Sequence, residues 1–317
     1  MGGHIAAHLA RAGVEVSVLA RGAHLSAIRS SGLRMIAQNG EAFTVRLDAS
    51  DNTADLGPQD LVISTLKAHT LSDAAVLFKP LLHASTPIIF AVNGIPWWYF
   101  HGIRDDAASR LPRLDPKGLL WQEVGPERVL GCVIRSPNQI VSPGVIRVNS
   151  PTSRFAIGEP TGTMSSRLSE IVALLNKGLP GAVATNDIRG EIWSKLMLNL
   201  PSSLLSTLTV STQTELFADP GSRELYRQLA EEGRMVAASY GIDVTFDLDA
   251  QVAAAGNHRH PPSMLQDLIA GRSLELDAQV RAVQDLARQS NVQTPILDVT
   301  LSLLAQRARS EYAASLL

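Results

Sequence analysis

The sequence predicts a two-domain α/β protein: a Rossmann-type N-terminal domain whose first strand is absent, followed by an all-α C-terminal domain. Three observations carry that expectation. A glycine pair opens a short helical pattern that runs into an alternating strand, two later apolar runs read as strands buried on both faces, and from Asp187 onward the periodicity is helical. The predicted domains are 1–186 and 187–317.

The chain opens Met1-Gly2-Gly3-His4-Ile5-Ala6-Ala7-His8-Leu9-Ala10-Arg11-Ala12-Gly13, with Ile5, Ala6, Leu9 and Ala10 at helical spacing and Gly13 as the stop. Val14 to Ala20 then alternates as a strand does, and Arg21 follows. Gly-Gly, helix, Gly and strand make most of a dinucleotide-binding βαβ unit. In the full fingerprint a first strand enters Gly-x-Gly-x-x-Gly, whose last glycine lets the helix approach the sheet. Gly2 or Gly3 fits that last position, which makes the chain a candidate truncation begun inside the motif; a Gly-rich, flexible start is the alternative.

Leu61–Leu66 and Pro87–Val92 are the two buried strands, and Ser72–Leu82 supplies a crossover helix between them. Pro96–Pro126 is less regular and carries Trp97, Trp98, Tyr99, Phe100 and Trp121. It reads as an insertion that walls a pocket, covers an interface, or is pinned to the core. Val129–Ile134, Gln139–Val148 and Arg154–Gly158 read as strands extending the sheet with antiparallel partners. They are broken by turns at Pro137-Asn138 and Ser142-Pro143-Gly144. Ser165–Lys177 is helical and Ala182–Thr185 a last short strand. The second domain then consists of helices over Ile188–Thr207, Pro220–Tyr240, Pro262–Ile269, Leu274–Asn291 and Pro295–Ala314. Pro201 removes a backbone donor and is expected to bend or end the first of these near Met197–Ser202.

Composition narrows the function classes. Apolar residues make up 45% of the 317 and charged residues 18%, enough for sizeable cores and too little charge for a disordered chain. Twenty-eight basic against 30 acidic residues give a formal charge of −2, so no broad positive field favours nucleic acid or an anionic membrane. The single cysteine, Cys132, makes neither an intrachain disulfide nor a cysteine zinc site, which points to a reducing, cytoplasmic home. No run approaches a membrane span, and the first residues lack the order of a signal peptide. His258 and His260 lack a metal-ligand spacing, and no metal is expected.

The candidate site residues follow from their places on these elements. Arg21 stands after the second strand of the unit, where an acidic residue would bind the ribose 2′-hydroxyl of NAD and an arginine accommodates the 2′-phosphate of NADP; an ordinary surface arginine at a strand end has the same place. Lys67 and Asn93-Gly94 follow the buried strands, at ends that face a cleft; each also fits a solvated loop or a turn. Lys195 and Asn199 are four apart, off the apolar stripe of Ile188, Ile192, Trp193, Leu196 and Leu200. A lysine and an amide therefore point at one place. An ammonium beside a ketone oxygen can stabilise the developing alkoxide and protonate it; a solvated lysine on an amphipathic helix has the same pattern. Ser263 is expected to cap a helix, with Gln266 at the capping-box position, and Glu275 either anchors a lysine or faces solvent.

Taken in order, several stretches resemble the ketopantoate reductase family, 2-dehydropantoate 2-reductases that use NADPH. They are Val18-Leu19-Ala20-Arg21, Ser64-Thr65-Leu66-Lys67-Ala68, Val92-Asn93-Gly94, Asp187 to Asn199 with its Glu-Ile-Trp-Ser-Lys-Leu core, Ser263 to Asp267, and Glu275-Leu276-Asp277. The resemblance spans nearly the whole chain and implies a helical domain of the 6-phosphogluconate-dehydrogenase-like type. It also implies Lys195 as catalytic acid with Glu275 as its supporting carboxylate, and Asn93, Asn199, Ser203 and Ser263 as substrate-binding residues. Gly2, Gly3, Arg21, Lys67 and Asn93 would bind the cofactor NADPH. The expected reaction is hydride transfer to the 2-keto carbon of 2-dehydropantoate. A homodimer built on the helical domain is expected by analogy.

Three departures from the family pattern keep other readings open, one of them the missing first strand with its two leading glycines. Members typically place a second asparagine four residues after the one matching Asn199, and here that position is Ser203, with one donor fewer. The aromatic run Trp97-Trp98-Tyr99-Phe100 follows Asn93 closely. A related 2-keto acid is then an alternative substrate, and a non-catalytic binding or assembly module with an incomplete nucleotide site is a further alternative.

Overall fold

The computed structural model of the chain describes residues 1–255 and 261–314. The chain divides into two compact units, Met1–Val92 with Trp97–Ile188, and Asn93–Pro96 with Arg189–Leu317.

The first unit is α/β. Helix α1 (Gly2–Arg11) leads to β1 (Ser17–Leu19), α2 (Gly22–Ser31), β2 (Leu33–Ile36), β3 (Ala42–Val45) and β4 (Asp48–Ser50). After them come β5 (Val62–Ser64), α3 (Ala68–Ala74), β6 (Ile88–Phe90) and a one-turn α4 (Asp106–Ser109). The unit closes with β7 (Val129–Arg135), β8 (Asn138–Ser142), β9 (Val145–Val148), β10 (Arg154–Gly158), α5 (Ser166–Asn176) and β11 (Ala182–Ala184). A five-stranded sheet runs in the order β11-β10-β7-β6-β5, with β5, β6 and β7 parallel and β10 antiparallel to β7. Strands β1 and β4 pair in parallel as a separate ribbon.

Helix α1 is the hinge of the packing, and its sequence explains why. Ile5 and Leu9, one turn apart, enter a cluster with Ile89, Leu130, Ile157 and Leu175, while Ala6 and Ala7 enter another with Ile28, Leu33, Met35 and Ile146. The two glycines sit at close approaches. A Cβ on Gly2 would come within 2.8 Å of Thr65 Oγ1, just past β5, and one on Gly3 within 3.0 Å of Ile146 Cδ1.

Several expectations change. The crossover helix begins at Ala68, earlier than Ser72, and gives way to 3₁₀ turns at Ala75–Leu77 and Lys79–Leu81, because Pro80 cannot donate within a helix. Strands β8 and β9 do not extend the main sheet. Their hairpin joins β2 and β3 in a second, four-stranded sheet ordered β3-β2-β9-β8, with β9 parallel to β2. The Pro96–Pro126 stretch is pinned to the core: Trp97, Trp98, Tyr99 and Phe100 are at most 2% exposed. Trp97 packs edge-on against Phe90 of β6 and against Trp121, and the Trp98 ring fills the space a Cβ on Gly131 would need.

The described part of the second unit is helical: α6 (Ile188–Thr209, its first residue counted with the first unit), α7 (Gln213–Ala218), α8 (Pro220–Ser239), α9 (Leu248–Ala255), α10 (Ser263–Ile269), a π-turn at Asp277–Arg281, α11 (Ala282–Gln289) and α12 (Pro295–Ala314). Helix α8 packs on α7, α11 and α12. Gly233 lets it meet α6, since a Cβ there would lie 2.7 Å from Met197 Cε. The buried Glu232 carboxylate accepts from the Ile296 and Leu297 amides at 2.9 and 2.8 Å, satisfying donors that the start of α12 leaves open. Pro201 does not end α6, which runs on for eight residues beyond it. One residue on from the carbonyl that Pro201 leaves open, Leu198 O accepts from Ser202 Oγ at 2.7 Å and from the Tyr226 hydroxyl at 3.1 Å. Burial pushes the Tyr226 hydroxyl pKa up, so the group stays a donor.

Candidate active site

The second unit carries the side chains expected to perform the chemistry. On α6, Ile192, Trp193, Leu196, Met197 and Leu200 are buried, and Lys195 and Asn199 are partly exposed beside them, as the helical period requires. Lys195 Nζ donates to Asn93 Oδ1 at 2.7 Å. Asn93 stands in a short segment, Asn93–Pro96, that belongs to this unit although both its flanks belong to the other.

That segment is held by the π-turn. The Ile95 amide donates to the Ala278 carbonyl at 2.8 Å. Gly94 adopts φ +81°, and a Cβ on it would fall 2.3 Å from the same carbonyl oxygen and 2.8 Å from the Gln279 amide nitrogen. Only glycine fits a backbone turned this way against another backbone. Glu275, 6% exposed, lies one turn before Gln279, whose side-chain Nε2 donates to Glu275 Oε2 at 3.5 Å. Lys195, Asn93 and the Glu275 region are thus tied into one frame through the 277–281 turn.

The remaining predicted residues fall as follows. Ser203 is buried on α6, two turns beyond Lys195. Ser263 is exposed and does not cap α10: the cap is Pro262, Ser263 is the first helical residue, and Gln266 reaches back to the Pro261 carbonyl at 2.8 Å. Gln279 and the π-turn escaped the sequence reading, because Leu274–Asn291 shows only an apolar helical period. His258 and His260 lie outside the described residues, and no cluster of metal-ligating side chains occurs among the described ones.

Of the residues expected to bind the cofactor, Gly2, Gly3, Arg21 and Lys67 lie in the first unit and Asn93 in the second. Arg21 is exposed, at the carboxyl end of β1 and at the N-cap of α2; Lys67 follows β5 and is the N-cap of α3. Neither helix, nor α1 behind Gly2 and Gly3, carries an acidic residue in its first turn. Helix starts without carboxylates, each beside a basic side chain or a glycine, suit the phosphates of a dinucleotide.

An α/β unit of this type joined to a helical unit with a lysine and an amide at one place defines an oxidoreductase of the NAD(P)-dependent class, acting on CH–OH groups. Two family models divide the chain: "Ketopantoate reductase PanE/ApbA" matches residues 1–162 and "Ketopantoate reductase PanE/ApbA C terminal" residues 187–308. A 2-dehydropantoate 2-reductase of Mesorhizobium japonicum is 40% identical over 97% of this chain and 95% of its own. A crystal structure from Ralstonia solanacearum, of a protein provisionally assigned as a ketopantoate reductase, superposes with TM-score 0.90 at 35% identity over 98% of this chain and 95% of the other. D-mandelate dehydrogenase in complex with NADH and anilino(oxo)acetate shares the fold, with TM-score 0.81 at 19% identity over 98% of this chain and 96% of the other. The chain belongs to the ketopantoate reductase family.

Proposed function

We propose that the protein reduces 2-dehydropantoate to pantoate with NADPH, Lys195 acting as the general acid. The hydrogen bond of 2.7 Å from Lys195 Nζ to Asn93 Oδ1 carries this reading. An ammonium has three donors, and an amide oxygen fixes the position of one without taking the charge. Reduction at C2 leaves negative charge on the former ketone oxygen; Lys195 stabilises that charge and delivers the proton, and the product is a 2-hydroxy acid. Bound NADPH supplies the hydride.

Around that centre Glu275 supports the lysine, and Asn93, Asn199, Ser203 and Ser263 bind the carboxylate and oxygen groups of the substrate. Gly2, Gly3, Arg21 and Lys67 hold the cofactor, with Arg21 on the 2′-phosphate; Asn93 contributes to both ligands. The reading includes a cytoplasmic home, in keeping with the one buried cysteine, and a homodimer formed by the helical unit, which sedimentation equilibrium tests.

The deciding experiment follows loss of NADPH absorbance with 2-dehydropantoate, set beside a panel of other 2-keto acids and NADH. Turnover highest with 2-dehydropantoate and NADPH is the expected result. A preference for another keto acid reassigns the substrate, and no turnover with any of them overturns the reading.

A further inference from the structure

Gln279 stands out among the polar groups around the Lys195 frame. It is 1% exposed, its amide nitrogen faces Glu275 Oε2 at 3.5 Å, and its amide oxygen is buried with no hydrogen-bond partner. The orientation of the amide is fixed by chemistry: a carboxylate oxygen only accepts, so the nitrogen must face Glu275 and the oxygen must face away. A buried acceptor without a donor is a cost to the fold, and a side chain of the same shape without polar atoms would be easier to bury. Its backbone is also immobilised. The π-turn that carries it is clamped by Ile95 N on Ala278 O and by the close approach of Gly94, and single π-turns of this kind recur at functional sites.

Resting on the keto acid reductase reading above, we propose that Gln279 is a positioning and specificity-determining residue of the same site. Its nitrogen steadies the Glu275 carboxylate, and its oxygen accepts a hydrogen bond from a hydroxyl on the carbon chain of the substrate. The class of ligand follows from the missing donor. At neutral pH the ketone and the carboxylate of a 2-keto acid only accept, so neither satisfies the Gln279 oxygen; a hydroxyl further along the chain does. 2-Dehydropantoate, 4-hydroxy-3,3-dimethyl-2-oxobutanoate, has that hydroxyl, and 3,3-dimethyl-2-oxobutanoate is the same acid without it. A site with a buried acceptor waiting for a hydroxyl discriminates against the analogue that lacks it.

Gln279→Met keeps the length of the side chain and removes both polar atoms. Turnover of both keto acids with NADPH is measured for the wild-type protein and the variant, together with Tm and calorimetric binding of the two corresponding 2-hydroxy acids without cofactor. The wild-type protein is expected to prefer the hydroxylated acid. In the variant, kcat/KM for that acid falls by about tenfold or more, the preference in turnover and in binding collapses, and Tm holds or rises. Gln279→Leu, smaller and equally apolar, is expected to repeat the pattern. An unchanged preference in both variants overturns the role of Gln279 and leaves the reductase reading intact; so does an equal loss on both acids with a lowered Tm, which marks a packing residue. Wild-type protein that turns over neither acid overturns the reductase reading, and the Gln279 role with it.

Discussion

Lys195 Nζ lies 2.7 Å from Asn93 Oδ1, a contact between residues 102 positions apart in the chain. A long lysine side chain has many rotamers, and a fixed hydrogen-bond partner narrows them, which is what a proposed proton donor needs. Lys195→Met keeps most of the stem and removes the ammonium. It should lower kcat by roughly 10²–10⁴-fold, the range for loss of a general acid, while NADPH affinity measured by fluorescence titration stays within about twofold. Turnover close to that of the wild-type protein removes Lys195 from the role.

Asn93→Ala tests the other half of the pair. Without the amide oxygen the ammonium loses its orientation and keeps its charge, so the expected loss of kcat is smaller than for Lys195→Met. A larger loss would mean that Asn93 itself contacts the reacting atoms.

Gly94→Ala tests the clamp that holds Asn93. The added methyl meets the Ala278 carbonyl oxygen at 2.3 Å, in a backbone at φ +81° that L side chains rarely adopt. The left-handed conformation alone costs roughly 1–2 kcal/mol, and relief of the clash must move the segment or the π-turn. Tm should fall by several degrees, and kcat should fall further than Tm accounts for at the assay temperature. A variant with wild-type Tm and kcat would show that the 93–96 segment is not clamped.

Arg21 is exposed at the end of β1, with no acidic residue in the helix turn that follows. If it holds the 2′-phosphate, Arg21→Ala removes charge-assisted hydrogen bonds that contribute about 1.5–3 kcal/mol. KM for NADPH should then rise by about 10–100-fold while KM for NADH changes little. An equal rise for both cofactors would place Arg21 on the shared part of the dinucleotide.

The parts of this fold that the sequence disclosed are those where burial imposes a period. Leu61–Ile63 and Pro87–Val92 are apolar runs because β5 is largely and β6 wholly covered, and the stripe on α6 declares which side of Lys195 is wet. The stretch between Arg21 and Asp60 was silent. Its helix α2 buries only Leu25 and Ile28, and β2, β3 and β4 are three or four residues long, too short for alternation to register. The pairing of β9 with β2 is set by contacts some 110 positions apart, which no local pattern encodes. The chemistry divides the same way. Lys195 and Asn199, both proposed for the site, are marked by helical spacing, whereas the Asn93 contact exists only once distant segments meet and the orphan oxygen of Gln279 only once its π-turn is folded.

His4 is expected to make the first unit sensitive to acid. Its ring is 3% exposed on α1, and it meets the His8 ring at 4.9 Å, the Phe155 ring, Ser136 Oγ at 3.3 Å and Asn138 Nδ2 at 3.4 Å from Nδ1. Desolvation first, and then the neighbouring charges of His8 and the amino terminus, lower its pKa from 6.5 to about 4. The folded state therefore refuses a proton that the unfolded chain accepts, and stability rises with pH across that interval. The contribution is fully present above pH 6.5, declines as pH falls toward 4, and amounts to about 3 kcal/mol at 1.36 kcal/mol per pKa unit. His4→Leu keeps an apolar body in the same place and cannot titrate. Urea unfolding at pH 7.5, 5.5 and 4.5 should show the wild-type protein losing stability faster than the variant between the first and last values. The variant is expected to lose ground at pH 7.5, where the ring contacts and hydrogen bonds of His4 are missing, and to recover it in acid. Parallel pH profiles would mean that the His4 proton is taken up equally by the folded and unfolded chains, and would remove His4 from the acid sensitivity of the fold.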